Sequence, residues 1–278
     1  MTRRISAVIP VRNGMPYIAE TIESLRRQTH KADEIVVVDN CSTDGTSEYL
    51  EKQADIQVIH QPQSVSAPQN WTAAARSATG DYTKVLCADD ILLPNCLEWQ
   101  REILDTNPDC AMTAARRQVI GPDSSVLVKA IGLSSLQGVV SGDRALRRGI
   151  SRGTNLFGEV AAVMFRTNVL QAQLPWPDDA GYATDLAMYA KVLQQSNVYL
   201  DRRVLAQFRV VESSWSVQIR SSQARDVIRT YREIASKQNL SVSPLAHSTG
   251  IFTANIRQIL RSLVYLRVAR LSRRQQHL

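Results

Sequence analysis

The stretch Glu34-Ile-Val-Val-Val-Asp-Asn-Cys-Ser-Thr-Asp-Gly-Thr46 decides the fold. Its first six residues form a nearly continuous β-branched run, the pattern of a parallel strand covered on both faces. The run stops at a carboxylate, Asp39, and passes into turn-forming residues. Upstream, Ile5–Val11 reads as a strand, and Met15–Gln28 carries Ile18, Ile22 and Leu25 at the spacing of one helix face. Downstream the cycle repeats. Thr43–Ala54 predicts a helix with Thr43 or Asp44 as N-cap, Ile56–His60 a short strand, Ala67–Ala78 a helix and Tyr82–Cys87 another strand. Such alternation implies an α/β, doubly wound sheet with right-handed crossovers. Ligands of these sheets sit at the carboxyl ends of the strands, so the residues just past each strand carry the chemistry.

Composition bounds the remaining possibilities. With 278 residues, 44% hydrophobic and 21% charged, the chain can bury a substantial core, and wholesale disorder is excluded. No uninterrupted apolar run has the roughly 18 residues a membrane span needs, and Met1-Thr-Arg-Arg-Ile5 lacks the apolar segment of a signal peptide. The expectation is a soluble, cytoplasmic protein. Cys41, Cys87, Cys96 and Cys110 lack paired metal spacing and are too few for a disulfide scaffold, which predicts reduced thiols. The net charge of +7 is a property of the tail: Leu200–Leu278 holds 14 basic and 4 acidic residues, against 19 basic and 22 acidic before it. That distribution argues against a nucleic-acid partner and for a C-terminal segment suited to an anionic surface.

After Pro94 the pattern loosens. Leu97–Thr106 reads as helix and Ala111–Ile120 as extended, whereas Gly121–Gly158 has no strong period and is expected to be variable, substrate-facing structure. Val160–Phe165 reads as a strand, Thr184–Gln195 as a helix and Val204–Val211 as a strand. Two helical stretches, Ile219–Gln238 and Ile251–Ser272, follow, separated near Pro244.

Three strands end in polar residues: Pro10-Val-Arg-Asn-Gly14, Asp39-Asn-Cys-Ser-Thr-Asp-Gly-Thr46 and Ala88-Asp-Asp90. Adjacent carboxylates after a buried strand resist joint ionisation unless a cation or strong donors compensate them. Hard oxygen ligands favour Mg2+ or Mn2+, which take their remaining ligands from substrate phosphates and water. The plainer reading has Asp89 or Asp90 capping the helix that begins near Pro94. Asp39 is equally open: it can accept hydrogen bonds from a base or ribose, or serve the turn that follows it. Neither Gly-x-Gly-x-x-Gly nor Gly-x-x-x-x-Gly-Lys-Ser/Thr occurs, so a dinucleotide fingerprint and a P-loop are unsupported.

Three segments in order, Val8-Ile-Pro-Val-Arg-Asn-Gly14, Glu34–Thr46 and the strand running into Asp89-Asp90, resemble the family 2 inverting glycosyltransferases of GT-A fold. The likeness extends to Asn70, to Ala78-Thr-Gly-Asp-Tyr82 and, more weakly, to Gly158-Glu159, Asp185 and Arg209, covering about residues 5–216. It implies a GT-A domain over residues 1–212, with a nucleotide-binding half (1–100) and an acceptor half (101–212), then a basic helical extension (213–278). It also implies a nucleotide-diphosphate sugar donor, uridine being the default base, contacted by Pro10, Arg12, Asn13, Asp39, Asn70 and Asp89. Asp90, with Asp89, would hold the divalent cation. Asp185 would be the single general base that an inverting displacement requires, with Asp178-Asp179 close enough to compete. Glu159, Arg209 and Trp215 would face a glycan or lipid-linked acceptor. As a first-turn helix acid, Asp185 has an alternative reading, a carboxylate made less basic by the macrodipole.

The chain departs from that family at three points. Cys87 stands where many members carry a further Asp, Thr184 where many carry a second acid, and no histidine follows Arg209. Trp71, Trp99 and Trp176 are candidates for stacking on sugars or for the core. In Asn255–Arg274, Ile256, Ile259, Leu260, Leu263, Val264 and Leu271 share a face with arginines interleaved, a basic amphipathic helix suited to an anionic lipid surface or to packing on the catalytic domain. A sugar-phosphate nucleotidyltransferase and a nucleotide-sugar-binding protein without turnover are the competing functions.

Overall fold

The computed structural model describes residues 3–211, 217, 219 and 221–275. Four parallel strands, β1 (Ile5–Val11), β2 (Glu34–Asp39), β3 (Gln57–His60) and β4 (Tyr82–Val85), lie in the order β3-β2-β1-β4. The alternation of side chains along a strand divides the core. Ile5, Ala7, Ile9 and Val11 pack in one apolar layer with Ile18, Ile22 and Leu25 of α1 (Ile18–Arg26). Val8, Val36 and Val38 face the other layer, with Ala74 and Ala75 of α3 (Ala67–Ser77). A Ser66–Gln69 capping box starts α3. The chain leaves β1 toward β2 on one side and meets β4 on the other, which opens a crevice at the carboxyl ends of β1 and β4.

Between β2 and β3, α2 (Thr46–Leu50) is shorter than the Thr43–Ala54 helix expected. Gly45, at φ 90°, occupies its N-cap, while Asp44 accepts hydrogen bonds from the Met15 and Thr46 amides and so joins the loops after β1 and β2.

The second half completes a mixed sheet. β5 (Ile91–Leu92) and α4 (Cys96–Thr106) lead into β6 (Cys110–Ile120), then β7 (Val126–Ile131) and β8 (Gly138–Ser141) precede α5 (Gly142–Arg152). The first three residues of the expected Val160–Phe165 strand form a 3-10 turn, and β9 (Val163–Arg166) runs antiparallel to both β4 and β6. After α6 (Thr167–Ala172) and α7 (Thr184–Val192), β10 (Asn197–Arg209) pairs in parallel with β6, in antiparallel with β5 and β8. β10 is longer than the Val204–Val211 strand expected. Its Asp201-Arg-Arg203 triplet forms an irregularity within the strand, where Asp201 accepts from the Arg203 amide and guanidinium.

Buried Lys84 of β4 fastens the halves: its ammonium donates to Gln100 of α4 and to the carbonyls of Ala161 and Val163. All its protons are used, so burial lowers its pKa without leaving an orphaned donor.

The Gly121–Gly158 region is ordered rather than irregular. Glycines inside α5 hid its helix period, yet they are what lets other helices approach. α8 (Gln223–Lys237) and α9 (Pro244–Gln275) pack against α5 there. A β-carbon at Gly149 would overlap the Tyr231 hydroxyl at 1.9 Å, one at Gly153 the Gly250 carbonyl at 2.0 Å and one at Gly250 the Ile150 carbonyl at 1.9 Å. Only a hydrogen fits at these crossings. α9 is thereby held against α5.

Candidate active site

A cavity of about 910 Å3 opens at the strand ends, lined by Asp89, Glu159, Asp185, Arg117, Tyr182 and Trp71 among others. Three separate elements deliver its acids. Asp89 comes from the turn after β4, closed by the Asp90 amide donating to the Cys87 carbonyl. Glu159 precedes the 3-10 turn before β9, and Asp185 lies in the first turn of α7.

The neighbouring acids Asp89 and Asp90 part company in this turn. Asp89 lines the cavity. Asp90 points behind it and is fully buried: Oδ1 accepts from the Arg209 amide at 3.0 Å and Oδ2 has no hydrogen-bond partner among the described residues. Burial, reinforced by the charge of Asp89, pushes the Asp90 carboxyl well above the ordinary carboxylate range. Neither acid caps a helix, since α4 starts at Cys96 with Asn95 before it.

Arg209, expected at the acceptor, is instead a structural tie with a solvent exposure of 1%. Its guanidinium donates to the Asp89 carbonyl (2.9 Å), the Gly121 carbonyl (3.2 Å), the Ser124 hydroxyl (2.9 Å) and the Glu20 carboxylate, and lies 4.6 Å from the centre of the Tyr17 ring. It anchors the acidic turn to α1 and to the β6–β7 connection. These bonds engage all three guanidinium nitrogens. Trp215 lies outside the described residues.

The loops after β1 and β2 are cross-linked. Asp39 is buried, its carboxylate accepting from the Ser42 amide and hydroxyl and the Ser47 hydroxyl, with His60 Nδ1 at 3.4 Å. These contacts are the turn chemistry that the sequence left open for it. Asn13, at φ 54°, accepts from the Thr43 amide and donates its own amide to Ser42. Asn70 donates to the carbonyls of Val11 and Val38, clamping the ends of β1 and β2 together. Pro10 is buried in β1, and Arg12 is exposed beside these loops.

The acids at the cavity differ in state. Glu159 forms a two-pronged ion pair with buried Arg117 of β6. Burial opposes the charge on Arg117, and Glu159 more than restores it, so its pKa is raised. Asp185 has no such partner: its Oδ1 is buried and unbonded. Burial, with Glu159 nearby, pushes its pKa up to about 8, and Arg117 draws it the other way. The shift is opposite in sign to the macrodipole effect, so burial dominates. Asp178 and Asp179, the competing acids, are exposed and do not line the cavity. Cys87 does line it, and burial holds its thiol protonated by raising its pKa well above the usual value.

Among the tryptophans, Trp176 is core, Trp99 lies under Arg203, and Trp71 alone lines the cavity, packed edge-on to Trp176 at 5.2 Å. Sequence reasoning missed Arg117. Its signal was weak, since Arg117 stands beside Arg116 and Gln118 in the Cys110–Ile120 strand and only the structure shows which of them is buried. It also missed the far wall, where α9 contributes Arg257 and Arg261.

No cluster of three or more metal-ligating side chains occurs among the described residues. A hard divalent cation needs only one or two protein carboxylates when substrate phosphates complete its shell. The mutually repelling Asp89 and Asp90, one of them with an orphaned oxygen, fit that chemistry.

Comparison with known proteins agrees with this geometry. The model of the family "Glycosyl transferase family 2" matches residues 6–170. TuaG of Bacillus subtilis (strain 168), a glycosyltransferase whose name places it in teichuronic acid biosynthesis, is 27% identical over 83% of this chain and 88% of its own. Staphylococcus aureus TarS 1–349, solved in complex with UDP-GlcNAc, superposes with a TM-score of 0.66 at 18% identity, over 92% of this chain and 72% of that one. The chain spans 42% of the longer TarS structure. The mannosyltransferase PcManGT of Pyrobaculum calidifontis, in complex with GDP-Man and Mn2+, superposes at 0.62 with 18% identity, over 98% of this chain and 76% of that one. The sheet and its helices thus have the GT-A fold.

The state of Asp185 has a measurable consequence for stability. Its folded pKa lies above the unfolded value of about 3.9, so the native chain binds that proton more tightly. Its contribution to stability is therefore full at acid pH and is lost as pH rises toward about 8. Asp185→Asn is expected to melt at least about 4 °C above the parent at pH 8, with the gain vanishing near pH 4. Equal melting temperatures at pH 8 would show the carboxylate to be compensated.

Proposed function

We propose a reaction for this chain, which belongs to glycosyl transferase family 2: transfer of a sugar from a nucleotide-diphosphate sugar to an acceptor hydroxyl, with inversion, in a single displacement. That the protein is a glycosyltransferase follows from the family and from its named relatives. Family membership displaces the nucleotidyltransferase and the binding protein without turnover.

One observation carries the mechanistic reading: Asp89 and Asp185 line one cavity, and Asp185 has a buried, unpaired carboxylate oxygen and a pKa pushed up to about 8. A base whose pKa lies near the working pH is best matched to proton abstraction. Glu159 is held as a charged partner of Arg117 and is a poor base in that pairing. In the proposed step, the acceptor oxygen attacks the anomeric carbon as its proton passes to Asp185. The new carbon–oxygen bond forms as the bond to the donor phosphate breaks, and the nucleoside diphosphate leaves. Asp89, with Asp90 behind it, would hold a Mg2+ or Mn2+ ion, which would supply Lewis-acid neutralisation of that leaving group. Arg209 keeps the Asp89–Asp90 turn in place from below.

The nucleoside is proposed to lie over the loops after β1 and β2, against Pro10 and Arg12, with Asp39, Asn13 and Asn70 fixing those loops. Uridine is the proposed base; the UDP-GlcNAc complex of TarS supports it. A glycan or lipid-linked acceptor of envelope polysaccharide assembly is proposed from the name of TuaG. No helix among the described residues is long and apolar enough to cross a membrane. α9, however, exposes Leu245, Phe252, Ile256, Ile259 and Leu263 along one side, a stripe proposed to lie on a lipid surface. Of its arginines, Arg257 and Arg261 line the cavity, so the contact rests on apolar burial more than on those charges.

The test is nucleoside diphosphate release from a panel of nucleotide sugars with Mn2+ and acceptor glycans. Asp185→Asn is expected to lower kcat by about 10²–10⁴ with the donor KM little changed. In the parent, kcat/KM should rise with pH along a limb near 8, because only deprotonated Asp185 accepts a proton. Glu159, Arg117, Cys87 and Tyr189 are the ionisable groups around it. Turnover in Asp185→Asn with that limb intact would remove Asp185 from the mechanism. For the lipid surface, Phe252→Glu/Ile259→Glu should stop co-sedimentation with phosphatidylglycerol vesicles; unchanged sedimentation would refute the contact.

A further inference from the structure

The cavity has walls of opposite sign. Its floor carries Asp89, Glu159 and Asp185, and the wall built by α5 and α9 carries Arg152, Arg257 and Arg261. Arg257 and Arg261 are one helical turn apart on α9, and Arg152 ends α5. No carboxylate among the described residues lies within ion-pair distance of these three guanidiniums. Arg152 and Arg257 are exposed and Arg261 is half-buried, whereas the buried Arg117 and Arg209 are paired with Glu159 and Glu20.

The three are held together at a cost. Burial lowers the pKa of Arg257, and the charges of Arg261 and Arg152 lower it further. The Nε of Arg261 is buried without a hydrogen-bond partner, and its guanidinium stands 5.3 Å from the centre of the Tyr182 ring, which holds it toward the cavity. The arrangement is fixed by the backbone, since Gly153 and Gly250 bring α5 and α9 together at a distance no side chain permits. Clustered guanidiniums of this kind are matched by an oxyanion, which accepts paired N–H bonds and relieves the mutual repulsion. The donor diphosphate is assigned to the other side of the cavity, at Asp89, so the anion belongs to the second substrate.

We propose that Arg152, Arg257 and Arg261 form a subsite for an oxyanion on the acceptor, a phosphate ester or a sugar carboxylate. The inference rests on the reading of this cavity as a glycosyl-transfer site and names the chemical class of its acceptor.

The experiment uses the full chain, saturated with UDP and Mn2+ to fill the donor side. It is titrated calorimetrically with glucose 1-phosphate, glucuronate and glucose, and each titration is repeated without UDP and Mn2+. At least one of the two anionic probes should bind about tenfold or more tightly than glucose, and which one does identifies the anion. The preference should vanish in Arg257→Gln/Arg261→Gln and persist in part in Arg257→Lys/Arg261→Lys, with UDP affinity within about twofold of the parent in both variants. Equal binding of all three probes by the parent, or an anion preference unchanged in the glutamine variant, overturns the subsite. Failure of UDP to bind the parent overturns the donor reading instead, and the titrations without UDP still decide the subsite.

Discussion

A buried strand that ends in two consecutive carboxylates sets the constraint on which this structure depends. Like charges at contact distance resist joint ionisation, so the chain must either neutralise one acid or compensate both. The turn after β4 separates them, with Asp89 at the cavity and Asp90 in the interior. Arg209 then supplies both kinds of compensation available from one residue, its amide to the Asp90 carboxylate and its guanidinium to the Asp89 carbonyl. Because that guanidinium also reaches Glu20, Gly121 and Ser124, the acidic turn is tied to α1, β10 and the β6–β7 connection at once. Removing its guanidinium would leave the Asp89 and Gly121 carbonyls without this donor.

Electrostatic division continues across the cavity. Glu159 and Asp185 sit near each other, yet Arg117 secures the charge of Glu159 and leaves Asp185 to bear the penalty of burial. Glu159 is ion-paired, whereas burial raises the pKa of Asp185 to about 8. The same logic of environment separates the roles of paired carboxylates in other enzymes. Opposite this floor, α9 brings in cations that no acid of the described chain neutralises, and the glycine crossings with α5 keep them there.

Much of the N-terminal half was legible in the sequence, because its signals are local. The β-branched run of Glu34–Asp39 and the alternation of Ile5–Val11 require cover on both faces, and α1 and α3 supply it. Residues whose meaning depends on long-range contacts were not legible. The family resemblance assigns Arg209 to the acceptor, and nothing in the sequence marks its tie to the Glu20 carboxylate 189 positions away. Asn70 likewise turned out to hold two strands together. The Gly121–Gly158 segment read as irregular because glycines lower helix propensity, although in α5 those same glycines are packing contacts. The amphipathic pattern of α9 was visible, but not that Arg257 and Arg261 line the cavity while Phe252, Ile256, Ile259 and Leu263 are exposed.

The central claim is that Asp89, presented by the Arg209-anchored turn, is the protein's grip on a cation-bound nucleoside diphosphate. Calorimetric titration of UDP into the parent and into Asp89→Asn, each with and without Mn2+, tests it most directly. UDP should bind the parent far more tightly when Mn2+ is present, and the variant should lose that enhancement while keeping its fold and its melting temperature. An equal Mn2+ enhancement in the variant, or UDP affinity indifferent to Mn2+ in the parent, would contradict the account.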